Sequence, residues 1–193
     1  MATVPMVDTN VVIYAMRKAK PDDTPDLRTM ITMSTDLLRR LDKIHISAIT
    51  HVEVMRALRP AERANPAVQS LFRRLHVMPV TGAASERAVE LLAQKNVNEK
   101  VCPRCLSAEN DHPCAKCHRI VASHQRVADA MIAATADTFD RDCVLYAFDS
   151  GVLAFKPYVK RCSIERPQES YGPLFEGAQT AALSPERGEK QKT

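Results

Sequence analysis

The chain has 193 residues, 45% of them hydrophobic and 26% charged, with a formal net charge of +4. That length suits one domain with room for a small insert, and no apolar run approaches the ~18 residues of a membrane span, so collagen-like and membrane-spanning classes are excluded. Four Tyr, five Phe and no Trp are too few for a platform of stacking aromatics, so any nucleic-acid contact is expected to be electrostatic, although +4 by itself demands no polyanionic partner.

Val4, Met6 and Val7 run into Asp8-Thr9-Asn10 and then Val11, Val12, Ile13 and Ala15, which reads as strand, turn and helix, with Pro5 breaking the strand near its start. Residues 20–25 (KPDDTP) form a breaker loop. Leu27, Met30, Ile31, Leu37, Leu38 and Leu41 recur at helical spacing and predict a helix over 27–41. Met30 and Met33 on it are read as core, a homodimer face being the alternative. A second strand is expected at 44–49, helices at 50–58 and 66–75 on either side of Pro60, and a short edge strand at 77–80 interrupted by Pro79. A helix over 83–94 precedes a cysteine-rich stretch. Beyond it come a helix over 120–136 and an apolar strand at 144–148 of the kind buried on both faces. This alternation predicts an α/β fold of three layers, a central, mainly parallel sheet flanked by helices. The expected organisation is a domain over 1–164, a small insert within it at 101–118, and a tail over 165–193, poorly ordered or docked. The opening MATVPMVDTN shows no apolar secretory leader, so a reducing cytoplasm is the expected setting for the six cysteines.

Four acids stand out by context. Asp8 lies where the first strand gives way to helix, the place where open parallel sheets gather ligands; it also suits a helix N-cap. Glu53 falls in the first turns of the helix after the second strand, where a solvated carboxylate is the ordinary reading. Asp129 interrupts VADAMIAATA, a stretch of small and apolar residues that looks buried. An ionised carboxylate there must protonate, find a cation or bind a metal. Asp149 ends the strand at 144–148 and also suits the turn before Ser150-Gly151. Asp142 competes for this last position but precedes the strand.

In order and context, VDTNVVI, ISAITHVEV, ADAMIAATA and LYAFDSGVLAF resemble the four motif blocks of the PIN-domain nucleases, above all the VapC-type single-domain ribonucleases. No block is specific alone; the ordered set is, and it spans about residues 4–160. The resemblance implies a PIN-like fold and a metal-dependent endoribonuclease whose four acids fall on Asp8, Glu53, Asp129 and Asp149, with Thr9 and Asn10 as supporting neighbours. Mg²⁺ or Mn²⁺ suits such donors, because hard dications take oxygen ligands while keeping waters and substrate phosphate. In this reading Asp8 and Asp129 are the main ligands, Asp149 completes the site, and Glu53 holds water or accepts its proton. RNA is then cut to a 5′-phosphate and a 3′-hydroxyl. The implied partners are RNA, an antitoxin-like protein if the chain is the toxin of such a pair, and a second copy of the chain.

Other classes fit less well. A haloacid-type phosphatase needs a second Asp where Asn10 stands, and a receiver-like phospho-acceptor needs paired acids after the first strand. The non-enzymatic alternative is a weakly active or inactive RNA- or protein-binding module that makes its contacts through the cysteine insert. Arg17, Lys18, Lys20, Arg39, Arg40, Arg56 and Arg59 form either a phosphate path near the acids or a solvated helix face.

Cys102-Pro-Arg-Cys105 and Cys114-Ala-Lys-Cys117 are two CxxC knuckles separated by eight residues. Paired turns of this kind supply the four thiolates of a structural, tetrahedral Zn²⁺ site. A thioredoxin-like redox motif would instead occur once, opening a helix after a strand. His112 and His118 are read as exposed loop residues, and Cys143 and Cys162 as buried thiols without a spacing partner. The insert departs from the compact pattern of the family it resembles.

Overall fold

A computed structural model describes residues 3–94 and 124–168. Val4–Val7 forms β1, with α1 (Thr9–Met16) directly behind it. Thr24 caps α2 (Pro25–Arg40), its hydroxyl accepting from the Leu27 amide at 3.3 Å, and Pro25 begins the helix where no intrahelical donor is lost. β2 (Ile44–Ser47) passes straight into α3 (Ala48–Ala57), because the Ser47 hydroxyl accepts from the Thr50 amide at 2.9 Å and starts the helix there. α4 (Pro60–Arg63), α5 (Pro66–Arg74), β3 (Leu75–Met78) and α6 (Gly82–Leu92) follow. After residues 95–123 come α7 (His124–Asp137), β4 (Cys143–Tyr146), α8 (Ser150–Leu153) and β5 (Cys162–Glu165).

The strands form one all-parallel sheet in the order β3-β2-β1-β4-β5. The chain works outward from the central β1 to β3, then returns to β4 on the other side. The order therefore reverses between β1 and β4, the switch point at whose carboxyl end a crevice opens. Side chains alternate across the sheet. Met6, Leu145 and Ile164 meet Leu91, Ile132, Ala133 and Phe155 on one face; Val7, Ile44, Ile46 and Tyr146 meet Val11, Val12, Leu37 and Val54 on the other. Helices α6, α7 and α8 cover the first face and α1, α2 and α3 the second, which is the expected three-layer α/β arrangement. Complete burial of side chains the size of Leu145 or Phe155 contributes about 1.5–3 kcal/mol each.

Three details differ from the sequence-based expectations. Pro5 does not break β1: it pairs opposite Val144, and its carbonyl accepts from His45 Nδ1 at 3.3 Å. β3 spans Leu75–Met78 and not 77–80, ending before Pro79, which has no N–H for a ladder. β5 was not anticipated; it extends paired backbone to Glu165, one residue past the expected domain boundary. Cys143 and Cys162 are free thiols, as expected, and stand as register neighbours on β4 and β5, Cys143 buried and Cys162 half-buried. Burial pushes both thiols up to about 12, which leaves them unreactive. Met30 and Met33 are half-buried on α2. The four knuckle cysteines Cys102, Cys105, Cys114 and Cys117, with His112 and His118, lie outside the described residues, as do residues 169–193 of the tail.

Asp137, which no sequence pattern marked, ends α7 in a fully used position. The Lys160 and Arg161 amides each donate to its Oδ1 at 2.7 Å, and Arg87 Nε donates to Oδ2 at 2.7 Å. Burial alone would push this carboxyl up. Its donors outweigh burial and hold it below the usual carboxylate range. One carboxylate thereby ties α6 and α7 to the approach of β5.

Candidate functional site

Asp8 is the residue immediately after β1, and its extended backbone (φ −80°, ψ 166°) turns the chain into α1. Its amide donates to the Tyr146 carbonyl at 2.9 Å, anchoring it to the end of β4. Although it stands at the N-cap position, its side chain makes no cap hydrogen bond. The carboxylate is therefore not consumed by the helix, and it is only 2% exposed. Burial pushes its carboxyl up to about 7, and the charges of Asp149 and Glu53 act in the same direction. The Thr9 and Asn10 amides, near it without the geometry of a cap bond, pull the other way.

The other three acids reach the same place from different elements. Glu53 comes from α3, behind β2, and accepts from the Thr9 hydroxyl. Asp149 follows β4 and caps α8: its Oδ1 accepts from the Gly151 amide at 2.6 Å, and its Oδ2 from Asn10 Nδ2 at 3.2 Å. The turn role read from the sequence is thus real, and one oxygen is shared with α1. Asp129, in α7, packs against Gly151 so closely that a Cβ there would lie 2.0 Å from Asp129 Oδ2 and 2.9 Å from Asp149 Oδ1.

All four line one cavity of about 460 Å³, with Thr9, Asn10, Ile13, Arg56 and Ala57 completing its wall. It opens at the carboxyl end of the sheet beside the β1–β4 switch point, because Asp8 directly follows β1 and Asp149 lies just beyond the end of β4. Asp142 does not join it. That residue precedes β4, and its carbonyl accepts from the Val4 amide at 2.8 Å, at the opposite end of the strand pair. Gly151 was missed as part of the site; only its place two residues after an acid was visible, and that is also an ordinary turn signal.

The donor chemistry suits a hard divalent cation: four carboxylates without a thiolate or imidazole, one of them held protonated to about pH 7 by its burial and by the neighbouring carboxylates. Among the described residues no three His, Cys, Asp or Glu side chains are gathered tightly enough to form a ready-made cage.

A family model described as the PIN domain matches residues 6–154. No curated protein matches the sequence. Among solved structures, the chain is similar to the crystal structure of VapBC2 from Rickettsia felis bound to a DNA fragment from their promoter. The TM-score is 0.49 and the identity 18%, covering 86% of this chain and 100% of that one.

Proposed function

Because the chain belongs to the PIN-domain family, we propose that it is a metal-dependent endoribonuclease whose acids Asp8, Glu53, Asp129 and Asp149 form the reacting centre. The observation that carries this reading is the convergence of those carboxylates in one cavity, with the Asp8 carboxyl raised to about 7. Nothing in the fold requires a buried acid whose oxygens cap no helix; a site that gains a dication does.

Asp8, Asp129 and Asp149 would hold Mg²⁺ or Mn²⁺, which supplies positive charge to polarise the scissile phosphate and acidify an attacking water. Glu53 accepts the proton of that water. The Thr9 hydroxyl, by donating to Glu53 Oε2, orients the acceptor, and Asn10 does the same for Asp149. The water oxygen bonds to phosphorus while the bond to the 3′-oxygen breaks, leaving a 5′-phosphate and a 3′-hydroxyl that takes its proton from solvent. Arg56, on the cavity wall, faces the charge that develops on the phosphate.

The test is cleavage of a mixed RNA and DNA panel with Mg²⁺ or Mn²⁺, with and without EDTA. Metal-dependent RNA cleavage that disappears in Asp8→Asn and Asp129→Asn, while both variants stay folded, supports the reading; cleavage unchanged in both refutes it. An antitoxin-like protein as partner and a second copy of the chain belong to the same proposal. The spacing of Cys102, Cys105, Cys114 and Cys117 further supports a structural Zn²⁺ in an insert at 101–118. Elemental analysis finding no zinc in the purified chain would defeat that part alone. Among the described residues no helix is long and apolar enough to cross a membrane.

A further inference from the structure

A second cavity of about 460 Å³ adjoins the acidic one, and Ile13 and Ala57 line both. Its wall carries Arg17, Lys18, Lys20 and Arg59 against a single acid, Glu62. Two of these cations are already engaged: Arg17 pairs with Asp23 and Arg59 with Glu62. Lys18 and Lys20 are exposed, and neither ammonium has a partner among the described residues. They are nevertheless held in position. The buried Asp23 takes the Arg17 guanidinium and, at 2.8 Å, the Lys20 amide, while its carbonyl accepts from Arg28 Nε at 3.1 Å. One carboxylate thus pins the loop that presents the two lysines beside the cavity.

We propose that this second cavity holds the phosphodiester backbone of a single-stranded RNA beyond the bond being cut, with Lys18 and Lys20 as its phosphate contacts. The inference rests on the nuclease reading for the direction of the strand, which must pass over Ile13 and Ala57 to place a phosphate at the acids. Unpaired ammoniums on a fixed loop are point charges suited to phosphate oxygens. Asp8 is almost wholly buried at the floor of the neighbouring cavity, within reach of a flexible strand and beyond that of a rigid duplex. The second cavity's lining contains no aromatic, Asn or Gln side chain. It therefore offers no ring on which a base could stack, and its contacts with the strand are electrostatic.

The experiment measures binding of a labelled 12-nucleotide RNA to the non-cleaving Asp8→Asn protein across a series of salt concentrations. Adding Lys18→Ala and Lys20→Ala is expected to weaken binding at least several-fold and to reduce the slope of log affinity against log salt by about 1.4, or ~0.7 per lost phosphate contact on a single strand. Arg73→Ala, which removes one positive charge on α5 away from either cavity, should change neither. In the protein with Asp8 intact, the lysine pair should raise KM on the long RNA and leave cleavage of a dinucleotide unaltered. An unchanged salt slope, equal binding of the duplex form, or no RNA binding at all overturns the proposal. Absence of cleavage by the unaltered protein defeats the nuclease reading instead, and the salt slope still decides this one.

Discussion

Gly151→Ala separates the site from the fold more cleanly than removal of any acid. The new methyl would sit 2.0 Å from Asp129 Oδ2 and 2.9 Å from Asp149 Oδ1, and the first distance is roughly 1.5 Å short of an ordinary nonbonded contact. The backbone of α8 does not yield easily, because its amide is bonded to Asp149 at 2.6 Å. The Asp129 carboxylate is the part that moves, by more than about 1 Å, into the open cavity beside it. A displacement of that size at a reacting centre lowers kcat by about 10²-fold. Stability should not fall with it. Gly151 lies in helical backbone, where alanine is favoured over glycine by up to ~1 kcal/mol, and the displaced carboxylate enters solvent-connected space. The assay pairs initial rates of RNA cleavage under saturating Mn²⁺ with a thermal melt of the same preparation. Cleavage within a few-fold of the unaltered protein would refute the claim that Asp129 must stand where this glycine lets it stand; a collapsed melting temperature would refute the claim that the contact serves the site and not the fold.

Asp8→Asn should abolish cleavage and yet stabilise the metal-free protein. In the folded chain Asp8 keeps its proton between pH 3.8 and about 7, where the unfolded chain has lost it, so stability falls as pH rises through that window and levels off above it. The shift corresponds to at most about 4 kcal/mol, read as the gap between the urea midpoints of the two proteins at about pH 8, which should close near pH 4; a constant gap would contradict the assigned burial cost. Arg87→Ala leaves Asp137 buried without its cation and should cost about 3 kcal/mol in urea unfolding while the acidic cavity stays intact. A change below about 1 kcal/mol would show that the Lys160 and Arg161 amides suffice for Asp137. Thr9→Val removes the donor to Glu53 and is expected to lower kcat about tenfold with KM for RNA unchanged; a change in KM alone would assign Thr9 to substrate binding.

Much of the molecule was readable from local signals, since each of those signals acts within a few residues. Val4–Val7 followed by Asp8 was legible as a strand exit, whereas the hydroxyl-to-amide bonds of Thr24 and Ser47 start α2 and α3 inside what the sequence suggested were a loop over 20–25 and a strand over 44–49. The order of the four acids was legible from local context: Asp8 and Asp149 come after strands, while Glu53 and Asp129 lie within α3 and α7. Local signals could not choose between two roles at one position. Asp8 read as a cap and Asp149 as a turn residue, and both stand at cap positions, yet only Asp149 spends an oxygen on its helix. The difference lies in Asp8's burial behind β4 and α1, a contact between residues far apart in the chain.

What the sequence determined by itself was most of the elements and the place of each acid along them, because capping, turn chemistry and side-chain periodicity are short-range. What only the tertiary structure decided was which ends meet. β5 is paired solely because β4 offers it an edge, Asp142 drops out because it lies at the wrong end of that strand, and Asp129 touches Gly151 because α7 packs beside α8. The pKa of Asp8 belongs to the same class, since desolvation and the fields of neighbouring carboxylates depend on distance in space and not along the chain.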